Sequence, residues 1–321
     1  MQALITGGAG FIGSHLADAL IARGDGVVCV DDLSLGTDKN IRHLGSNPRF
    51  RFEELDANNI ERMSQILAKE RIETVFHLAA NSDILKGSKT PTIDLERTFN
   101  TTFSTLEAMR QAGTKNIVFA SSSTVYGERP GKLAEDSGPL LPTSLYGAAK
   151  LASEAYISAY CENFGMKAWI NRFPNVVGDR STHGVIFDFL NKLERNRQEL
   201  EILGNGEQCK PYLYVKDLVD GLLFTFDNAS EKINVYNLAP EDGIRVRRIA
   251  EILVEELGLP NVKFRFTGGD RGWVGDVPRF EYDLTKVHCL GWKAQRSSEE
   301  AIRHAVKMLI KERAAKPYGS G

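Results

Sequence analysis

The 321-residue chain is poor in cysteine, with Cys29, Cys161, Cys209 and Cys289 scattered and none in a C-x-x-C pair. That excludes a thiolate zinc site and a disulfide framework, and points to packing thiols in a reducing compartment. Six histidines are equally dispersed and build no ligand spacing, so no metal is expected. Neither sign of charge dominates. Forty Lys and Arg against 42 Asp and Glu leave a formal net charge of −2, too weak a basic field for a nucleic-acid binder. No apolar run reaches the ~20 residues that span a bilayer. MQALITGGAG has neither the charged n-region nor the apolar h-region of a secretory leader. The expectation is a cytoplasmic protein with no nucleic-acid or membrane partner.

What the chain does have is alternation. QALIT, GVVCVDD, ETVFHLAA and NIVFASSS are short β-rich runs, separated by longer amphipathic stretches such as IGSHLADALIARG. Strands alternating with helices predict βαβ units, and near-continuous apolar strands predict a sheet covered on both faces. The expected fold class is α/β, a Rossmann-type doubly wound parallel sheet. After about residue 175 the rhythm loosens. HGVIFDFLNKLERN and VRRIAEILVEELG read as helices and LPNVKFRF as an edge strand. A smaller mixed C-terminal domain is expected over 176–321, with segments at about 209–240 compatible with a return to the main sheet.

The segment LITGGAGFIGSHLADAL joins the first strand to the first helix. Gly8, Gly10 and Gly13 satisfy G-x-G-x-x-G, and Gly7, Gly10 and Gly13 satisfy G-x-x-G-x-x-G, with Phe11 and Ile12 between the last two. Such glycines allow a tight turn and close approach of backbone to a pyrophosphate on a helix N-terminus. There is no GK[ST], so the loop is not a Walker A motif. Asp31 ends the next strand, 18 residues past Gly13. A carboxylate there holds ribose hydroxyls and repels a 2′-phosphate, favouring NAD over NADP.

In SLYGAAK, Tyr146 and Lys150 stand four apart and share a helix face. A phenol with a reference pKa of about 10 is a poor base at neutral pH. Lowering it by roughly three units takes about 4 kcal/mol, which neighbouring positive charge can supply. Tyr146 is then the acid/base and Lys150 its electrostatic partner. VFASSSTVYG ends a strand about twenty residues earlier, where ligands sit in doubly wound sheets, and offers Ser121, Ser122, Ser123 and Thr124.

Taken in order, TGGAGFIG, DDLS, HLAAN, SSSTVYG, YGAAK and RFPNVVG resemble extended short-chain dehydrogenase/reductases acting on nucleotide-sugars. HGVIFDF, LEILGNGEQ, YLYVKD and DRGWVGDVP extend the likeness through nearly the whole chain, toward UDP-galactose (UDP-glucose) 4-epimerases. The resemblance implies an NAD-binding domain over 1–175 and a nucleotide-sugar-binding region over 176–321. It implies Ser122, Tyr146 and Lys150 as catalytic residues. Asp56 and Ala57 would border the adenine, Leu78, Ala79 and Ala80 would line the cofactor, and Phe173 would pack near the nicotinamide. For the substrate it implies Asn175, Val185, Lys210 and Arg271, with Phe280 favouring a plain hexose over an N-acetylhexosamine. A homodimer through helices around 94–112 and 145–164 also follows from it.

Three positions depart from the family pattern. Ser123 and Thr124 stand where 4,6-dehydratases carry Asp-Glu, so elimination lacks its carboxylate base. Thr98 replaces an expected asparagine. Lys210 in QCKPY replaces an arginine, keeping the charge but losing the bidentate fork. The expected reaction is C4 epimerisation of UDP-galactose and UDP-glucose through a transient 4-keto sugar. The alternatives are a net nucleotide-sugar 4-dehydrogenase or ketoreductase, an epimerase of another nucleotide-sugar, and a non-catalytic dinucleotide sensor.

Overall fold

The computed structural model describes residues 1–272 and 275–314; Trp273 and Val274 of the DRGWVGD segment lie outside the described residues. The β-rich runs become β1 (Gln2–Thr6), β2 (Gly26–Asp31), β3 (Phe50–Glu54), β4 (Thr74–His77) and β5 (Asn116–Ala120), joined by β6 (Lys167–Arg172) and β7 (Ile233–Asn237). They form one sheet in the order β7-β6-β5-β4-β1-β2-β3, and every pairing is parallel. β7 comes from the C-terminal half and pairs with β6, Ile233 opposite Ala168.

Alternate residues of each strand face opposite layers, as the period of two requires. Leu4, Val28, Val75, Ile117 and Ile170 pack with Met63, Leu67, Leu106, Met109 and Ile157. Those partners lie on α2 (Ile60–Lys69), α3 (Asn100–Ala112) and α4 (Leu145–Phe164). On the other face Ile5, Cys29, Phe76, Val118 and Trp169 pack with Leu16 and Leu20 of α1 (Phe11–Ala22), and with Leu218 and Leu222 of the helix Val215–Asn228. Both faces are thus closed, which accounts for the near-continuous apolar strands.

A second core lies in the C-terminal half. Helices Val185–Arg195, Val246–Leu257 and Ser298–Ala314 bury Ile186, Phe189, Ile249, Leu253, Ile302 and Val306 against Leu200 and Ile202. Strand Glu199–Ile202 pairs there in parallel with Lys263–Phe266, and Cys209–Lys210 pairs antiparallel with Ile244–Arg245.

The chain crosses from one side of the sheet to the other between β1 and β4. A cleft lies at the carboxyl ends of these two neighbouring strands, where ligands bind in such sheets. Leu106 sits in the layer that closes one face and is fully buried. Leu106→Ala is expected to lower unfolding free energy by about 2–5 kcal/mol in urea denaturation, the cost of an aliphatic core cavity.

Candidate active site

That cleft has a volume of about 440 Å³. Its floor is the glycine loop. Gly7 has φ +71°, and a Cβ there would come within 2.9 Å of the Ala79 nitrogen, so the loops after β1 and β4 touch. A Cβ on Gly13 would lie 2.1 Å from the Gly7 oxygen. Any larger residue at position 13 pushes the helix off the loop. The first turn of α1 has no side-chain cap and no acidic residue. Its free N–H groups therefore offer an anion site, with Gly10, Phe11, Ile12 and Gly13 lining the cleft.

Asp31 ends β2 at the cleft wall. Its carboxylate accepts from the Ala9 N–H at 3.0 Å and the Leu33 N–H at 2.9 Å. Burial raises its pKa, while those two N–H groups pull it back down. Asp56, Ala57, Leu78, Ala79, Ala80 and Phe173 line the same space. An uncapped helix start, a glycine cradle and an acid at the end of the second strand are the donor and acceptor set a dinucleotide requires, so the residues present fit NAD.

Ser122, Tyr146 and Lys150 line the same cleft. Ser122 caps the turn Ser123–Tyr126, and its Oγ accepts from the Thr124 N–H at 3.2 Å and the Thr124 hydroxyl at 3.0 Å. Its own proton is left to donate elsewhere. Tyr146 lies in the first turn of α4, whose N-cap Ser144 accepts from the Gly147 N–H at 3.1 Å. A Cβ on Gly147 would fall 2.6 Å from the Thr124 oxygen. Glycine therefore lets α4 lie against the serine turn, which explains the small residues around the tyrosine.

Lys150 is 2% exposed. Its Nζ donates to the Ala120 carbonyl at 2.6 Å and sits 4.6 Å from the Phe119 ring centre and 5.7 Å from that of Tyr146. Burial pulls its pKa down to about 7, and the charge of Glu154 opposes that fall. Tyr146 moves the other way. Burial pushes the phenol well above its ordinary value, and the carboxylate of Asp94 adds to the rise. The groups of the protein alone thus favour neutral phenol.

Of the substrate candidates, Asn175 lines the cleft and the other four do not. Lys210 is paired with the buried carboxylate of Asp276. Arg271 donates to the Asp276 carbonyl at 3.1 Å and to Glu128 at 2.6 Å. Val185 begins its helix, half-buried. Phe280 packs edge-on to Tyr282 and lines a separate cleft of about 1090 Å³ together with Cys209 and Arg279. The departing Thr98 is buried, and its Oγ1 accepts from the Asn81 N–H at 3.1 Å. Asn81 in turn donates to Asp94 at 2.9 Å.

Several polar residues were missed by sequence reasoning. Asp32, Ser82, Arg97 and His183 also line the cleft. His77 lies fully buried behind it, with Nδ1 2.7 Å from the Thr6 hydroxyl and Nε2 3.0 Å from that of Thr102. Burial, and secondarily Lys150, push its pKa to about 3, so its ring is neutral. Glu154 was legible in principle, because it continues the four-residue spacing of Tyr146 and Lys150.

Residues 3–239 match the model of the NAD dependent epimerase/dehydratase family, and the chain belongs to that family. It is an NAD-dependent enzyme with a Rossmann-type fold. It is 32% identical over 311 residues to a putative UDP-glucose 4-epimerase of Methanocaldococcus jannaschii, covering 95% of this chain and 97% of the relative. A solved UDP-galactose 4-epimerase superposes with a TM-score of 0.85 at 38% identity, covering 97% of this chain and 99% of the other. The UDP-glucose 4-epimerase of Thermotoga maritima, solved with UDP-glucose, gives 0.87 at 32% identity, with 98% and 100% covered.

Gly13→Ala is expected to weaken NADH binding at least about tenfold in a fluorescence titration while the circular dichroism of the fold persists. Unchanged affinity would remove the glycine loop from the cofactor site.

Proposed function

We propose that the enzyme interconverts UDP-galactose and UDP-glucose by epimerisation at C4. The observation that carries this reading is the convergence of Ser122, Tyr146 and Lys150 on one cleft, beside a serine turn whose next two positions hold hydroxyls instead of carboxylates. A 4,6-dehydratase of known structure is also similar, with a TM-score of 0.89 at 26% identity. Dehydration needs a carboxyl group to take the C5 proton and assist the leaving group, and Ser123 and Thr124 cannot do that.

Tyr146 takes the proton of the C4 hydroxyl and later returns it. Ser122 donates its free proton to the same oxygen and orients it. Lys150, fixed on the Ala120 carbonyl by one of its three N–H bonds, directs positive charge toward the phenolate. NAD held by the glycine loop, Asp31 and Phe173 would supply a reversible hydride acceptor for the C4 hydrogen and positive charge beside the phenol. The reaction is redox-neutral, so no free NADH accumulates. Asn175 is the residue for the sugar-nucleotide phosphate.

The remaining site roles follow the same reading. Residues 1–175 with β7 carry the cofactor, and 176–321 mainly carry the nucleotide-sugar. Lys210, Arg271 and Val185 act on the nucleotide side, with Lys210 and Arg271 exchanging their present carboxylate partners for the diphosphate. Phe280 restricts the room for an N-acetyl group.

The protein is further proposed to be a cytoplasmic homodimer. Leu95, Phe103, Tyr156 and Phe164 are 53%, 38%, 43% and 40% exposed. Phe99 and Phe103 flank Tyr156 edge-on at 5.0 and 6.2 Å, so α3 and α4 share one aromatic face. An apolar patch of that kind on two long helices suits a second copy of the chain. Among the described residues no helix is long and apolar enough to cross a membrane.

Tyr146→Phe is expected to cut turnover of UDP-galactose by at least ~10²-fold, assayed by coupled detection of UDP-glucose; near-normal turnover would refute the assignment. Phe103→Asp is expected to convert dimer to monomer in light scattering, and a dimer of unchanged stability would place the interface elsewhere.

A further inference from the structure

Beneath the reaction centre lies a buried ionic network to which the mechanism assigns no role. Glu154 is one turn beyond Lys150 on α4 and is 7% exposed. Its Oε1 accepts from the Ser121 hydroxyl at 2.5 Å and from Arg172 Nε at 3.0 Å, and its Oε2 accepts from Arg172 Nη2 at 2.6 Å. Ser121 immediately precedes Ser122. Arg172 ends β6 and immediately precedes Phe173. Arg172 also lies 4.9 Å over the Tyr126 ring and donates to the Glu135 carbonyl at 3.1 Å. The Tyr126 hydroxyl donates to Asn237 at the end of β7.

We infer that Glu154 is a positioning residue of the reaction centre: one buried carboxylate ties the serine turn, the Tyr146–Lys150 helix and the Phe173 strand end together, with its negative charge one helical turn from the Lys150 ammonium. A shared carboxylate of this kind holds three elements in one register, because Ser121 bonds its Oε1 and Arg172 bonds both of its oxygens.

The charge has a second consequence. The groups facing Lys150 are Tyr146 and Glu154 on its own helix, the Ala120 carbonyl and Phe119 ring from β5, and the neutral His77 from β4. The charge of Asp94 also acts on Tyr146. Those facing Glu154 are Ser121, Arg172 and, through Lys150, the site itself. Among the described residues, only Glu154 opposes the burial that strips the proton from Lys150. Lowering the charge at 154 therefore lowers the pH at which Lys150 becomes neutral. The alkaline limb of the activity profile moves toward acid, since Tyr146 loses its cation.

The inference rests on the catalytic reading of Tyr146 and Lys150, and two readouts separate its failure from the failure of that reading. The first is the titration of the Lys150 Cε signal by carbon NMR in the purified protein, assigned with Lys150→Arg. The second is the pH profile of kcat with UDP-galactose. In Glu154→Gln the Lys150 midpoint is expected to fall by about one pH unit or more from the wild-type value. The alkaline limb moves with it, and KM changes less than about twofold. Glu154→Asp keeps the charge and is expected to restore the midpoint while kcat stays low, since the shorter chain cannot reach both partners.

Lower kcat and lower Tm in Glu154→Gln with midpoint and limb unmoved would overturn the inference, leaving a structural ion pair. Removing one partner of a buried pair strands the other charge. If Glu154→Gln fails to fold, Glu154→Gln with Arg172→Met removes both charges and is read by the same midpoint. A wild type without turnover would sink the epimerase reading, and the NMR midpoints would still decide the role of Glu154.

Discussion

The site is organised around a lysine ammonium from which water has been removed. Lys150 sits at the end of β5 with one N–H on a backbone carbonyl, an aromatic ring beneath it and no water-exposed surface to speak of. Holding a cation there costs free energy, and burial pulls its pKa down for that reason. What offsets it is local: a carbonyl, the face of Phe119 and the charge of Glu154. The neighbouring Tyr146 feels the same desolvation with the opposite sign, because its charged form is the anion. Burial moves the two pKa values away from the order that a phenolate–ammonium pair needs. In the protein alone burial thus favours the uncharged forms of both Tyr146 and Lys150.

The backbone serves this arrangement. Gly147 lets α4 approach the serine turn, and Gly13 lets α1 approach the glycine loop. In both places a methyl group would separate a helix from the segment carrying its chemical partner. Both contacts lie at the cleft at the carboxyl ends of the central strands.

Much of this was legible in the sequence where a residue type is tied to a local geometry. The glycines at 7, 10 and 13, the acid at 31 and the four-residue step from Tyr146 to Lys150 each express a constraint a few residues long, and each lines the cleft. The sheet was legible because its strands are apolar on both faces. What could not be read were contacts between distant segments. Glu154 meets Arg172 from β6, His77 meets Thr6 from β1, and no spacing rule announces either pair. The residues proposed for the substrate were the hardest, since the identity of a lysine or arginine does not reveal its partner. Lys210 lies on Asp276 and Arg271 on Glu128 in the protein alone. Thr98, read as a departure, turns out to hold the Asn81 backbone and so keeps a polar role at the same turn.

The central claim is that this cleft inverts C4 of a UDP-hexose without net oxidation. The most direct test is proton NMR of the anomeric signals of UDP-galactose incubated with the purified protein, with no reductant added and absorbance at 340 nm followed in parallel. The account predicts that UDP-glucose grows to a steady ratio with UDP-galactose while no NADH accumulates. UDP-galactose left unchanged, or consumed with stoichiometric NADH, would contradict it.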